Sequence, residues 1–107
     1  MQSRPSWQAD ACPPWCRGDH EEGDHPDDRV HRSDSVAVPI VARRTWFEGA
    51  GIRREALGTE FEVALSRVDG EQETWLYVGS GTQMSWDVSV ESAERLVRQI
   101  TDVLRSR

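Results

Sequence analysis

Two cysteines and three histidines are the only thiols and imidazoles in this chain, and all five fall between Cys12 and His31. The run reads Cys12-Pro13-Pro14-Trp15-Cys16-Arg17-Gly18-Asp19-His20, followed by an acidic stretch through His25 to His31. Zinc takes four soft or borderline donors in a tetrahedron, and two thiolates with two imidazoles meet that demand. Written as ligands, the spacing is C-x3-C-x3-H-x10-H. Two close ligands, a third nearby and a fourth across a loop is the topology of a closed structural site. The expectation is therefore one structural zinc per chain on Cys12, Cys16, His20 and His31, with His25 as an alternative fourth ligand. The cysteine gap is three residues, not the commoner two. A disulfide, or free thiols beside solvated histidines, are the alternatives. Asp19 and Asp24 could orient the imidazoles or simply be solvated. Trp15 is expected to pack over the site.

The segments around the cluster must hold it. Residues 1–11 are polar, with Pro5 and only Trp7 as an anchor, and read as a flexible tail. Pro13 and Pro14 exclude a strand interior but suit a first helical turn, which would put Cys12 before the turn and Cys16 one turn on. Glu21 to Asp28 is acidic, contains Gly23 and Pro26, and should be a loop. Residues 12–34 thus form a knuckle, and 35–107 a small α+β domain that folds as one unit with it.

Beyond Ser35 the pattern changes to alternation. Val36, Val38, Ile40 and Ala42 suggest a strand, and Pro39 points to an edge or an end. Arg43 to Gly58 is ambiguous between strand and loop. Phe61, Val63 and Leu65 alternate with Glu60, Glu62 and Ser66, and Asp69-Gly70 supplies a turn into a second strand at Thr74 to Val78. Gly79-Ser80-Gly81 lacks the Gly-Lys-Ser/Thr ending of a phosphate loop and reads as a plain turn. Met84 to Val88 could add a short strand. Ser89 then caps a C-terminal amphipathic helix whose apolar stripe runs from Val90 and Ala93 to Val103 and Leu104. The architecture expected is α+β: an N-terminal zinc knuckle, an antiparallel sheet of three or four strands, and one helix across it.

Composition narrows the partners. The 107 residues carry a net charge of -6, and all 13 basic residues are Arg. Eight acidic and four basic side chains lie in residues 1–34. Such a surface repels phosphate backbones and anionic lipid, so neither nucleic acid nor membrane is favoured. No apolar run approaches the ~20 residues of a membrane span, and no signal-peptide core is visible at the N-terminus. A cytoplasmic location follows as an expectation. In a reducing compartment a close cysteine pair is more often metal-binding or redox-active than a structural disulfide.

The motif Cys12-Pro-x-Trp-Cys16, with Asp19-His20, the acidic stretch and His31-x-Ser33, resembles a family of small uncharacterised actinobacterial and phage proteins. The tail Ser89-Val-Glu91-Ser-Ala93-Glu-Arg-Leu96 resembles theirs too. The resemblance covers both ends of the chain and implies an intracellular origin; it brings no established activity.

The function expected is a non-enzymatic zinc-binding interaction or regulatory protein, meeting a protein partner or itself, for example as a homodimer through the C-terminal helix or the sheet face. The alternative is a thiol-based redox or metal sensor in which Cys12 and Cys16 release zinc or oxidise. A metal-dependent hydrolase, with Glu21, Glu22 or Asp24 as base, and a DNA-binding zinc module rank lower. No H-E-x-x-H is present, and the site loop is acidic where DNA-binding fingers are basic.

Overall fold

The computed structural model describes residues 4–81 and 84–107. Among these described residues, five strands and one α-helix follow the head in chain order: β1 (Val30–Arg32), β2 (Val36–Glu48), β3 (Gly51–Val68), β4 (Trp75–Gly79), β5 (Ser85–Ser89) and α1 (Val90–Arg105). The fold is α+β, with a fully antiparallel sheet. It has five strands, against the three or four expected, because Val30–Arg32 pairs as well.

β3 is the axis. β1 and β2 both pair with it, and β4 then β5 extend the sheet on the other side. The β1 register joins Arg32 to Ser66, and the β2 register joins Val36 to Val63, so the count slips by one residue at Ser33–Ser35. This is a bulge, an extra residue that bends the strand line without ending it. Ser33 carries the ladder across it: its N–H donates to the Leu65 carbonyl (3.0 Å), and the Leu65 N–H donates to Ser33 Oγ (2.8 Å).

The ambiguous stretch Arg43 to Gly58 is strand on both sides of a tight turn. Glu48 pairs with Gly51, and Gly49 takes a φ of 61° while Ala50 does not have a positive φ. Positive φ at the first central residue alone is the II′ hairpin turn, whose twist matches the flanking strands. The β2–β3 ribbon therefore runs unbroken from Val36 to Val63 and gives the chain an elongated shape of 61 × 32 × 21 Å. Pro39 sits in β2, at the sheet edge, where its missing N–H costs no interior ladder bond. The β3–β4 hairpin is also present. Asp69-Gly70 supplies the expected turn, closed by the Glu71 N–H donating to the Val68 carbonyl at 3.0 Å, and the register joining Ser66 to Trp75 sets that turn within a longer loop.

Directly paired residues share a face of a sheet. Val36, Val38, Phe61, Val63, Leu65, Leu76, Val78, Trp86 and Val88 accordingly line one face. α1 begins immediately after β5. Ser89, at φ -62° and ψ 153°, caps it by accepting the Ser92 N–H. The helix meets the sheet through β4 and β5, above Leu65 and Leu76, and does not lie across the whole face as expected. Ile100 and Val103 of its stripe stay 54% and 67% exposed. Among the described residues no apolar residue is buried; His31 is fully buried, and the Asp69 side chain beside it is 5% exposed.

Candidate metal centre

The head is shaped by its own turns. The Cys16 N–H donates to the Pro13 carbonyl at 2.9 Å, closing a turn over Pro14-Trp15. Pro13 needs no partner for a missing N–H there, so two consecutive prolines are accommodated without loss. The Arg17 N–H then donates to the Arg32 carbonyl (2.8 Å) and fastens the head to the outer edge of β1. Gly18 follows at φ 79°, a conformation strained for any residue with a Cβ. The reversal places its N–H 3.3 Å from Cys16 Sγ and lets the chain return to His20.

The result is one cluster. The ligand atoms of Cys12, Cys16, His20 and His31 all lie within 4.8 Å of one another. Cys16 Sγ stands 3.4 Å from His20 Nε2 and 3.5 Å from His31 Nδ1. The two imidazoles meet edge to face at 5.0 Å between centroids. Both cysteines are free thiols, Cys12 exposed and Cys16 half-buried, while His31 is 0% exposed. The four donors thus run from the surface inward to β1. Partial desolvation, and then the neighbouring Cys16 sulfur, push the Cys12 thiol up; the Gln8 amide and Arg4 pull the other way. Two sulfurs held this close resist simultaneous ionisation, and a cation among them would remove the conflict.

Asp69 stands behind His31. Its Oδ1 is 3.0 Å from His31 Nε2, so that nitrogen donates and Nδ1 is left facing the sulfurs. The Asp69 carboxylate also accepts the N–H groups of Ala9 (2.7 Å) and Asp10 (3.3 Å). Burial opposes its ionisation, but the Ala9 N–H, His31 and the Asp10 N–H outweigh that and hold it below its ordinary value. Asp10, His31 and Asp69 form a second group of close donors. It shares His31 with the first, and the backbone N–H groups already engage Asp69, so we assign Asp69 to orienting the imidazole. Beneath it, Arg67 reaches Asp10 at 3.9 Å, while its buried Nε has no partner.

Residues 4–11 contact the head at several points, which the reading as a tail did not include. Trp7 packs edge-on against His20 (5.5 Å), donates its indole N–H to the Glu21 carbonyl (2.8 Å), and lies under Arg29. Ser6 donates both N–H and Oγ–H to Glu22, and this holds the exposed Glu22 carboxyl below its ordinary value. Gln8 donates to Cys12 Sγ at 3.6 Å.

The structure thus brings four of the five expected donors together. His25 is elsewhere: it is exposed, and its Nδ1 accepts the Asp27 N–H as the cap of a single 3-10 turn, Pro26–Asp28. Asp19 and Asp24 do not orient the imidazoles. Asp19 pairs with Arg17 at 3.2 Å, and Asp24 accepts the Glu21 N–H at 3.0 Å. A ring that the sequence reading did not place at the site, that of Trp7, stands against it. Asp69 gave no signal because Asp-Gly is a common turn pair and it lies 38 residues from its histidine.

No curated protein and no solved structure matches the chain. A family description does, over residues 2–106, which takes in the whole head, the sheet and the helix. The chain belongs to that family, a domain of unknown function (DUF6907).

Proposed function

We propose that this protein is a non-enzymatic interaction module whose head is closed by one structural zinc ion on Cys12, Cys16, His20 and His31. The observation that carries the reading is the donor geometry. A tetrahedral site with Zn–S of about 2.3 Å and Zn–N of about 2.0 Å has S···N edges of about 3.5 Å. The two S···N separations at Cys16 are 3.4 and 3.5 Å. A carboxylate behind a ligating imidazole, as Asp69 stands to His31, is the usual support for such a ligand. The Gly18 N–H aimed at Cys16 Sγ, 3.3 Å away, helps fix the position of that sulfur.

Four protein donors leave no coordination position for a substrate or water, which supports a structural over a catalytic metal. No described helix is long and apolar enough to cross a membrane, in keeping with a cytoplasmic protein. Kinship with the actinobacterial and phage proteins that share the Cys-Pro-x-Trp-Cys head fits the same reading. The exposure of Cys12 favours one second reading, a sensor in which the outermost thiol is oxidised first and the metal leaves.

The test is native mass spectrometry with metal analysis on untagged protein, beside Cys16→Ser and the double variant Cys12→Ser/Cys16→Ser. One zinc per chain is expected in the parent, and its loss with a marked fall in Tm in both variants. A metal-free parent two protons light, the mass of a disulfide, would sink the reading. So would variants that keep both their metal and their Tm. Reversible zinc release by peroxide would replace the structural role with the sensor.

A further inference from the structure

We infer that the working unit is a homodimer in which α1 of each protomer covers the apolar face of its partner's β2–β3 ribbon. The inference deepens the interaction reading by naming the partner, and it does not depend on the metal. It starts from a shortage. The chain exposes 8529 Å², whereas a compact monomer of 12.2 kDa exposes about 6,100 Å². The surplus is about 2,400 Å² per chain, and two chains that removed it would bury about 4,800 Å², inside the range of obligate homodimers.

The surplus lies on matching elements. The ribbon carries Val36, Val38 and Leu57 on the same sheet face as Leu65 and Leu76, at 62%, 38% and 41% exposure. The protomer's own helix reaches only the β4–β5 end of that face and leaves a groove of about 410 Å³ against Leu65 and Leu76. Beyond the groove, the outer part of α1 offers an apolar stripe of Ile100, Val103 and Leu104 that stays 54%, 67% and 52% exposed. One chain therefore holds both a long open apolar sheet face and a free apolar helix face. A two-fold contact requires this self-complementarity, since each patch must meet its counterpart twice. The missing cover is also needed whenever the chain folds, because no apolar residue among the described residues is buried without it. A second copy is always present in the required amount.

The experiment is native mass spectrometry and sedimentation equilibrium of the full chain, with two variants, Ile100→Asp on the helix and Val38→Asp on the ribbon. The parent is expected at twice 12.2 kDa. Each variant alone is expected to associate at least about a hundredfold more weakly, the effect of an unpaired buried charge. Mixed one to one, the two variants should recover a heterodimer, because one of the two helix-on-ribbon contacts then has both faces intact. A parent at 12.2 kDa with a sharp thermal transition overturns the inference and needs no variant. Variants that dimerise like the parent overturn it too, as does a mixture that fails to recover, which would mean helix meeting helix. Metal content in the same samples separates the two proposals: a metal-free dimer sinks the zinc site alone, and a zinc-loaded monomer sinks the dimer alone.

Discussion

The chemistry of the head depends on which nitrogen of His31 carries the proton. With Asp69 3.0 Å from Nε2, the proton is held there, and Nδ1 turns its lone pair toward Cys16. An amide in place of the carboxylate keeps the shape and the oxygen facing His31, but loses the charge that makes the imidazole a better donor and the second oxygen that accepts the Ala9 N–H. Asp69→Asn is therefore expected to weaken zinc binding about 10- to 100-fold while leaving the fold in place. A chelator competition assay reads this directly, with Asp24→Asn as a control, since Asp24 faces the Glu21 N–H and not an imidazole. Equal effects from both substitutions, or none from Asp69→Asn, would remove the orienting role. At this scale the sequence was legible where donor and donor lie close in the chain. Thiols and imidazoles crowded between Cys12 and His31 announce a site by type and spacing. Asp69 and Trp7 act through the tertiary fold, and a turn aspartate or a lone tryptophan near the terminus carries no mark of it.

Among the elements, alternation predicted strands well where apolar residues kept the beat, as at Glu60 to Val68, and failed where arginines broke it. Arg43, Arg44, Arg53 and Arg54 hide the outer ribbon because there the strands are open to solvent, and polar residues cost nothing. The pairing survives through the II′ turn and through cross-strand contacts such as Arg44 with Glu55 at 3.2 Å. The glycine at the start of the Gly79-Ser80-Gly81 turn has a more specific duty than the sequence suggests. It pairs with Ser85 at the close of β4, and a Cβ there would stand 2.6 Å from the Met84 carbonyl oxygen and 2.8 Å from Ser85 Cα. Both obstacles are backbone, so the β4–β5 hairpin itself must shift. Gly79→Ala is expected to destabilise the protein by about 1–3 kcal/mol, read as a lowered denaturation midpoint. Gly58→Ala is the matched control within a strand, with nothing within 4 Å of its added Cβ. Equal midpoints for the two variants would show that the hairpin yields without strain.

For the whole molecule, periodicity identified the amphipathic helix but could not say what covers it. The expectation that it lies across its own sheet follows from economy, since an apolar stripe must be buried somewhere. The fold denies the helix that cover: the sheet is stretched along β3 into a ribbon, and α1 starts at the far edge, directly after β5. An elongated chain in which, among the described residues, no apolar residue is buried has little to hold it together alone. If association supplies the core, folding and dimerisation are one step, and stability must fall on dilution. Per-residue unfolding enthalpies put the dimer near 150 kcal/mol, so each tenfold dilution should lower Tm by about 3 °C. Differential scanning fluorimetry across three decades of concentration, with zinc in constant excess, isolates this from any loss of metal. A Tm that does not move would mean the head and a single sheet suffice to fold one chain, and the exposed helix stripe would then have to be explained without a second copy.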